Sequence, residues 1–247
     1  MVCSTSSKST VLADLTHQLA KLYSEIIYPR SFPPDARTNV PRPSQFGITD
    51  FEELFIPTPD GESLSAFFIR ANKQHARNVT VLMFHGNAGN IGYRLPIAKI
   101  LENELRCNVL MLQYRGYGLS SGSPNEKGLM IDAQTGLDYI RQRQELRNTK
   151  IVIYGQSIGG AVSIGLVARN QKHGDIAGVI LENTFTSLKK LIPRSVGWHI
   201  WRSYVDPSQC FSARKIPSSS LPPNLANRSD VTADHRCPNP LPQWPQR

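Results

Sequence analysis

A serine attacks a carbonyl carbon only when its hydroxyl is fixed, presented outward and helped to lose its proton. Ser157 stands in a frame that meets the first two needs, Gly155-Gln156-Ser157-Ile158-Gly159. An apolar run, residues 151–154, precedes the frame, and Gly160 and Ala161 follow it. The spacing predicts a strand that turns into a helix within about three residues and holds the serine on a strained backbone. Glycines on either side remove Cβ atoms that would collide in so tight a turn. Ser157 is therefore the candidate nucleophile for acyl transfer.

A tetrahedral acyl intermediate needs N–H donors about 2.7–3.1 Å from its developing oxyanion. One is expected from the residue after the nucleophile, Ile158. The second is expected from the loop His85-Gly86-Asn87-Ala88-Gly89-Asn90, at Asn87, with Ala88 as the alternative. His85 ends the preceding strand and reads as a support of that loop, not as the base. A second glycine-rich loop, residues 114–122, lacks a Gly-Lys-Ser/Thr ending and so does not read as a phosphate cradle. It is expected to shape the site, with Arg115 a candidate for a substrate carboxylate or phosphate. Glu182 closes the last apolar run, 177–181, where its side chain can face the site, and is a candidate acid.

The elements around these residues follow from hydrophobic periodicity. Runs 52–57 and 64–70 flank Thr58-Pro59-Asp60-Gly61 and predict an antiparallel hairpin. Strands are expected at 79–84, 108–112, 150–154 and 177–181. Helices are expected at 91–104, 126–142 and 158–169. The alternation predicts an α/β fold with a mostly parallel sheet covered on both faces. Residues 11–27 carry helical apolar spacing, and residues 29–43, with five prolines, read as an extended connector. The expected organisation is a helix and connector over 1–45, a core over 46–203, and a Pro/Ser-rich disordered tail over 204–247.

Composition narrows the function classes. The formal net charge is +9, but residues 1–185 carry 19 basic and 16 acidic side chains while residues 186–247 carry nine and three. The excess thus sits in the tail, and no basic stripe interleaved with aromatics accompanies it, which argues against a nucleic-acid partner. Four scattered cysteines form no metal-binding spacing, so no metal and no cofactor is expected. Asn78-Val79-Thr80 matches the glycosylation sequon at the start of an expected buried strand, where a chance match is the better reading. No apolar run of about 20 residues spans a bilayer.

Taken together, HGNAGN (85–90), YRGYGLSSGSPNEKGLMIDAQTGLDYI (114–140), IYGQSIGGAVSI (153–164) and VILENTFTSL (179–188) resemble the bud-emergence type of α/β-hydrolase. The stretches at 26–48 and 52–64 resemble the same group, which is similar to membrane-tethered α/β-hydrolase-domain proteins. The resemblance implies the α/β-hydrolase fold and a serine hydrolase acting on an ester, thioester or amide, with Ser157 as nucleophile and donors at Asn87 and Ile158. It also implies a small-molecule or acylated substrate, a thioester of a lipid-modified cysteine among them, and peripheral membrane association of a chain that otherwise reads as soluble and cytoplasmic. The family order is serine, acid, histidine, with the last two after further strands. Beyond Ile192 neither strand is legible. Asp206, Asp230 and Asp234 are the candidate acids there, His199 and His235 the candidate bases, and His173 reads as a helix end. After about Ser195 the composition resembles a shifted reading frame, so the C-terminal strands are expected to be missing, and the family's hydrophobic anchor is not found before Ile26. A chain so altered is expected to be an enzyme disabled to a residual rate advantage of roughly 10³–10⁴-fold over water, a binding or scaffold protein that keeps the fold, or a truncated gene product.

Overall fold

The computed structural model describes Glu25, residues 27–72 and residues 76–185. The expectations for the tail, for the C-terminal strands and for most of the helix at 11–27 lie outside the described residues. Among the described residues six strands form one sheet: β1 (Phe51–Pro57), β2 (Ser63–Ile69), β3 (Val79–Phe84), β4 (Asn108–Leu112), β5 (Lys150–Gln156) and β6 (Ile176–Glu182). Their spatial order is β1-β2-β4-β3-β5-β6. β1 and β2 are an antiparallel hairpin, β2 joins β4 antiparallel, and β4, β3, β5 and β6 run parallel. The long helices among the described residues are α1 (Leu95–Asn103), α2 (Glu126–Gln142) and α3 (Ile158–Asn170).

The sequence explains these boundaries. The hairpin closes because the Thr58 hydroxyl donates to Asp60 (2.7 Å) and accepts from the Glu62 N–H (2.9 Å), while Gly61 takes φ +92°. Asn125 caps α2 by accepting from the Gly128 N–H at 2.8 Å, satisfying a donor the first turn leaves open. The helix expected over 91–104 is a 3₁₀ turn, Ile91–Arg94, followed by α1. Pro96 is the reason: it has no N–H to give Gly92, and the Leu95 N–H bonds the Gly92 carbonyl instead.

Strand alternation sorts the core into two layers. Leu82, Phe84, Leu110, Leu112, Ile151 and Ile153 face Leu129, Ala133 and Leu137 of α2 and Val162 and Leu166 of α3. Val81, Met83, Val109, Met111 and Tyr154 face Leu95, Ala98 and Leu101 of α1. The central strands are buried on both faces, which is why they read as continuous apolar runs. Among the described residues β6 pairs only with β5, and Val179, Ile180 and Leu181 are 38%, 44% and 44% exposed.

Two expectations are corrected. Residues 29–43 are not an extended connector. They fold into turns closed by Phe32 to Pro29, Ala36 to Pro33 and Thr38 to Asp35 bonds, with Ala36 fully buried. Arg115 is not placed to take a substrate anion. Its backbone N–H and Nε bond both oxygens of Asp132 at 2.8 Å, and Nη1 and Nη2 bond Asp60 at 2.7 and 3.0 Å. Asp132 is fully buried, and burial pushes its carboxyl up to about 6 against the pull of Arg115. The hydrogen bond from Arg115 holds Asp60 well below the usual carboxylate range. The cluster ties the hairpin turn to α2 and to the loop after β4.

This cluster sets a prediction. Asp132→Ala leaves the buried guanidinium without its inner partner and should cost about 3–5 kcal/mol. Asp60→Ala removes a partner whose side chain is 38% exposed and should cost about 1 kcal/mol or less. Urea unfolding of both variants checks it, and equal losses would mean that Arg115 is not anchored from the Asp132 side.

Candidate active site

β5 ends at Gln156 and α3 begins at Ile158, so a single residue makes the turn. That residue, Ser157, has φ 53° and ψ −114°, a sparsely populated conformation for a residue with a side chain. Close approach explains the glycines beside it. A Cβ on Gly155 would lie 2.3 Å from the Gly159 carbonyl oxygen, and one on Gly159 would lie 2.4 Å from the Phe84 carbonyl oxygen. The turn is pinned on both sides. The Ser157 N–H donates to the Glu182 carbonyl at 2.8 Å, and the Thr184 hydroxyl donates to the Ser157 carbonyl at 2.8 Å.

The loop after β3 passes directly over this turn. A Cβ built on Gly86 would be 3.8 Å from the Ser157 Cβ. Five side chains hold the loop. Asn87 donates from its side chain to the Ile27 carbonyl (2.7 Å), and its own carbonyl accepts from the Tyr117 hydroxyl (2.9 Å). Asn90, fully buried, donates to the Ala36 and Asn39 carbonyls at 2.9 Å each. Arg94 donates to Gln156 Oε1 (2.7 Å) and makes a long contact with the Ala88 carbonyl (3.5 Å). Gln113 accepts from the Ile91 N–H at 2.8 Å. The N–H groups of Asn87 and Ile158 donate to no backbone carbonyl among the described residues. Ile158 follows Ser157 in the chain, and Asn87 follows Gly86, the residue whose built Cβ comes within 3.8 Å of the Ser157 Cβ.

His85 lies beneath the loop with 1% of its surface exposed. Its Nδ1 is 2.6 Å from the Gly86 carbonyl and so carries the proton. Nε2 then accepts from Gln113 Nε2 (2.7 Å) and the Tyr114 N–H (3.4 Å). Burial pushes its pKa down to about 3, so His85 is a neutral strut at neutral pH. His173 sits exposed in the turn after α3, a helix length of about 20 Å from Ser157.

Glu182 is otherwise engaged. One carboxylate oxygen accepts from the Tyr154 hydroxyl and the other from Gln156 Nε2 at 3.0 Å. Glu182 pairs with Gln156 in register and so shares the α1 face with Tyr154. The structure thus sets the loop that carries Asn87 beside the Ser157–Ile158 turn and turns the Glu182 carboxylate toward Tyr154 and Gln156. Asp206, Asp230, Asp234, His199 and His235 are outside the described residues. Sequence reasoning passed over Arg94, Gln113, Gln156 and Tyr117. Gln156 occupied a variable position of the serine frame, and nothing local marked the others. Among the described residues no cluster of His, Cys, Asp and Glu is placed to hold a metal ion, and no helix is long and apolar enough to cross a membrane.

Comparison with known proteins agrees with this fold. The model of the alpha/beta hydrolase fold family matches residues 79–233. The chain is 46% identical over 175 residues to the protein bem46 of Schizosaccharomyces pombe, covering 71% of this chain and 58% of that one. It is 38% identical over 186 residues to YNL320W of Saccharomyces cerevisiae, described as an uncharacterized membrane protein, covering 74% and 63%. The chain therefore spans about three fifths of the length of these relatives. An alpha-beta hydrolase from Vibrio vulnificus superposes with a TM-score of 0.65 at 21% identity, over 81% of this chain and 73% of that one.

The neutral His85 predicts a pH effect. Its folded pKa lies below its unfolded value of about 6.5, so only the unfolded chain takes up this proton between the two. Stability is present above pH 6.5 and falls as pH drops toward 3, by up to about 1.4 kcal/mol per pH unit. Denaturant unfolding between pH 7 and 4 should show a flatter slope for His85→Gln than for the unsubstituted protein. Equal slopes would mean that His85 titrates alike in both states.

Proposed function

Because the chain belongs to the alpha/beta hydrolase fold family, we propose that it is a serine hydrolase that cleaves an ester, thioester or amide through an acyl-enzyme on Ser157. The observation that supports this reading is the strained one-residue turn at Ser157 beside the loop after β3, where the Ile158 and Asn87 N–H groups donate to no backbone carbonyl among the described residues. The Ser157 oxygen adds to the carbonyl carbon as its proton passes to a base. The carbonyl oxygen, now negative, accepts from Ile158 and Asn87. The intermediate collapses, the leaving group departs with that proton, and water repeats the sequence to release the acid and restore the serine. His199 and His235 remain the candidate bases and Asp206, Asp230 and Asp234 the candidate acids. Glu182, with both oxygens accepting hydrogen bonds, suits the acid role less well than its place at the strand end suggested.

The substrate class follows from resemblance: an acylated small molecule, or a thioester on a lipid-modified cysteine. Peripheral membrane association is proposed on the same ground, supported by the description of the budding-yeast relative as a membrane protein. No cofactor enters the mechanism.

Labelling with a fluorophosphonate probe tests the reading. One adduct on Ser157 is expected, absent in Ser157→Ala. Hydrolysis of p-nitrophenyl esters should fall on the order of 10⁴–10⁶-fold in that variant. A folded protein that takes no adduct would instead be a binding protein that keeps the fold without turnover.

A further inference from the structure

Arg94 lies against the site, yet the acyl-transfer chemistry assigns it no step. It follows the loop after β3 and reaches back across it. Nε donates to Gln156 Oε1 at 2.7 Å, and Nη2 makes its longer contact with the Ala88 carbonyl at 3.5 Å. Gln156 is the residue before the nucleophile, and Ala88 follows the donor Asn87. Between them lies Gly86, where a built Cβ would be 3.5 Å from Arg94 Nη2, 3.3 Å from Gln156 Oε1 and 3.8 Å from the Ser157 Cβ. One guanidinium therefore touches both halves of the oxyanion site.

The far end of this bridge is also fixed. Gln156 Nε2 donates to Glu182 at 3.0 Å, and the other Glu182 oxygen accepts from the Tyr154 hydroxyl. The same residue takes the Ser157 N–H on its backbone carbonyl at 2.8 Å. With both faces of its amide used, Gln156 cannot rotate without losing a bond. A planar guanidinium suits such a span, because its donors sit in a rigid fork, whereas a lysine ammonium offers a single point of contact.

We propose that Arg94 is a positioning residue that clamps the Asn87 loop to the Ser157 turn, through Gln156 and Glu182, and so sets the separation of the two oxyanion donors. The proposal rests on the serine hydrolase reading for its catalytic consequence, but not for the clamp itself. The two N–H groups come from separate segments, both beyond the last β3–β5 pair, Phe84 with Gly155. A misplacement of about 1 Å in such a site costs on the order of 10²-fold in rate.

The test uses the full chain and two readouts. The first is inactivation by a fluorophosphonate, resolved into reversible binding and acylation. Arg94→Ala should acylate about 10²-fold more slowly with initial binding little changed. Arg94→Lys should recover only part of the rate, and added methylguanidinium should restore part of it to Arg94→Ala. The second readout is amide hydrogen exchange, which needs no catalysis. Exchange should quicken at 86–90 and 157–160 in Arg94→Ala and in Gln156→Ala, with β3 and β5 unchanged. Unchanged exchange in those two segments overturns the clamp whatever the activity does, as does an equal loss of protection across the sheet. If the unsubstituted protein takes no label, the serine hydrolase reading fails, and exchange alone decides the clamp. Where Arg94→Ala does not fold, Arg94→Lys and Gln156→Ala carry the same comparison.

Discussion

The backbone of Ser157 is the constraint on which the site depends. Its φ and ψ are costly for a residue with a side chain, on the order of 1–3 kcal/mol, and persist only because neighbours over-determine them. The Ser157 N–H has its acceptor because β6 runs beside β5 in a register that sets Glu182 opposite Gln156. The Ser157 carbonyl takes the Thr184 hydroxyl and the Gly160 N–H. The geometry of the turn is thus a property of the β5–β6 pairing as much as of the glycines. Whatever disturbs the β5–β6 pairing disturbs the Ser157 turn.

A second requirement follows from the loop after β3. A segment with glycines at positions 86 and 89 does not hold one conformation by itself. Here a buried polar layer supplies the rigidity. His85, Gln113 and Asn90 are each almost wholly inaccessible, yet their described hydrogen bonds run in compatible directions. A satisfied buried network specifies one arrangement, and a half-satisfied one is penalised by unpaired groups. The neutral state of His85 belongs to this logic, because protonating Nε2 would remove the acceptor that Gln113 and Tyr114 use. Residues 27–39 complete the layer by presenting the carbonyls of Ile27, Ala36 and Asn39 to Asn87 and Asn90.

What was legible in the sequence divides along the same physical line. Strands 79–84 and 108–112 and the helix 126–142 have the expected bounds, because burial on both faces and the Asn125 cap are local signals. The serine turn was also legible, since its glycines answer to steric contacts within a few residues. Arg115 was misread because its partners are distant: Asp60 lies in the hairpin turn and Asp132 in α2. A glycine-rich loop with an arginine carries the same pattern whether the guanidinium faces a ligand or a buried carboxylate. The proline-rich segment was misread for a related reason. Proline fixes φ but does not say whether the following carbonyls meet water or a buried asparagine.

Glu182 shows why position at a strand end is not enough to assign a role. Alternation along the strand decides which layer a side chain enters. Gln156 and Glu182 are register partners and share the α1 face with Tyr154, while the chain has already turned away at Ser157. A carboxylate there accepts from Tyr154 and Gln156 before it can meet an imidazole. Each bond it makes leaves it less free to orient a base and better suited to hold Gln156. A backbone N–H belongs to its own turn and can be proposed as a donor from a few residues. A side chain's part in a site depends on which face it enters and on what has reached it first.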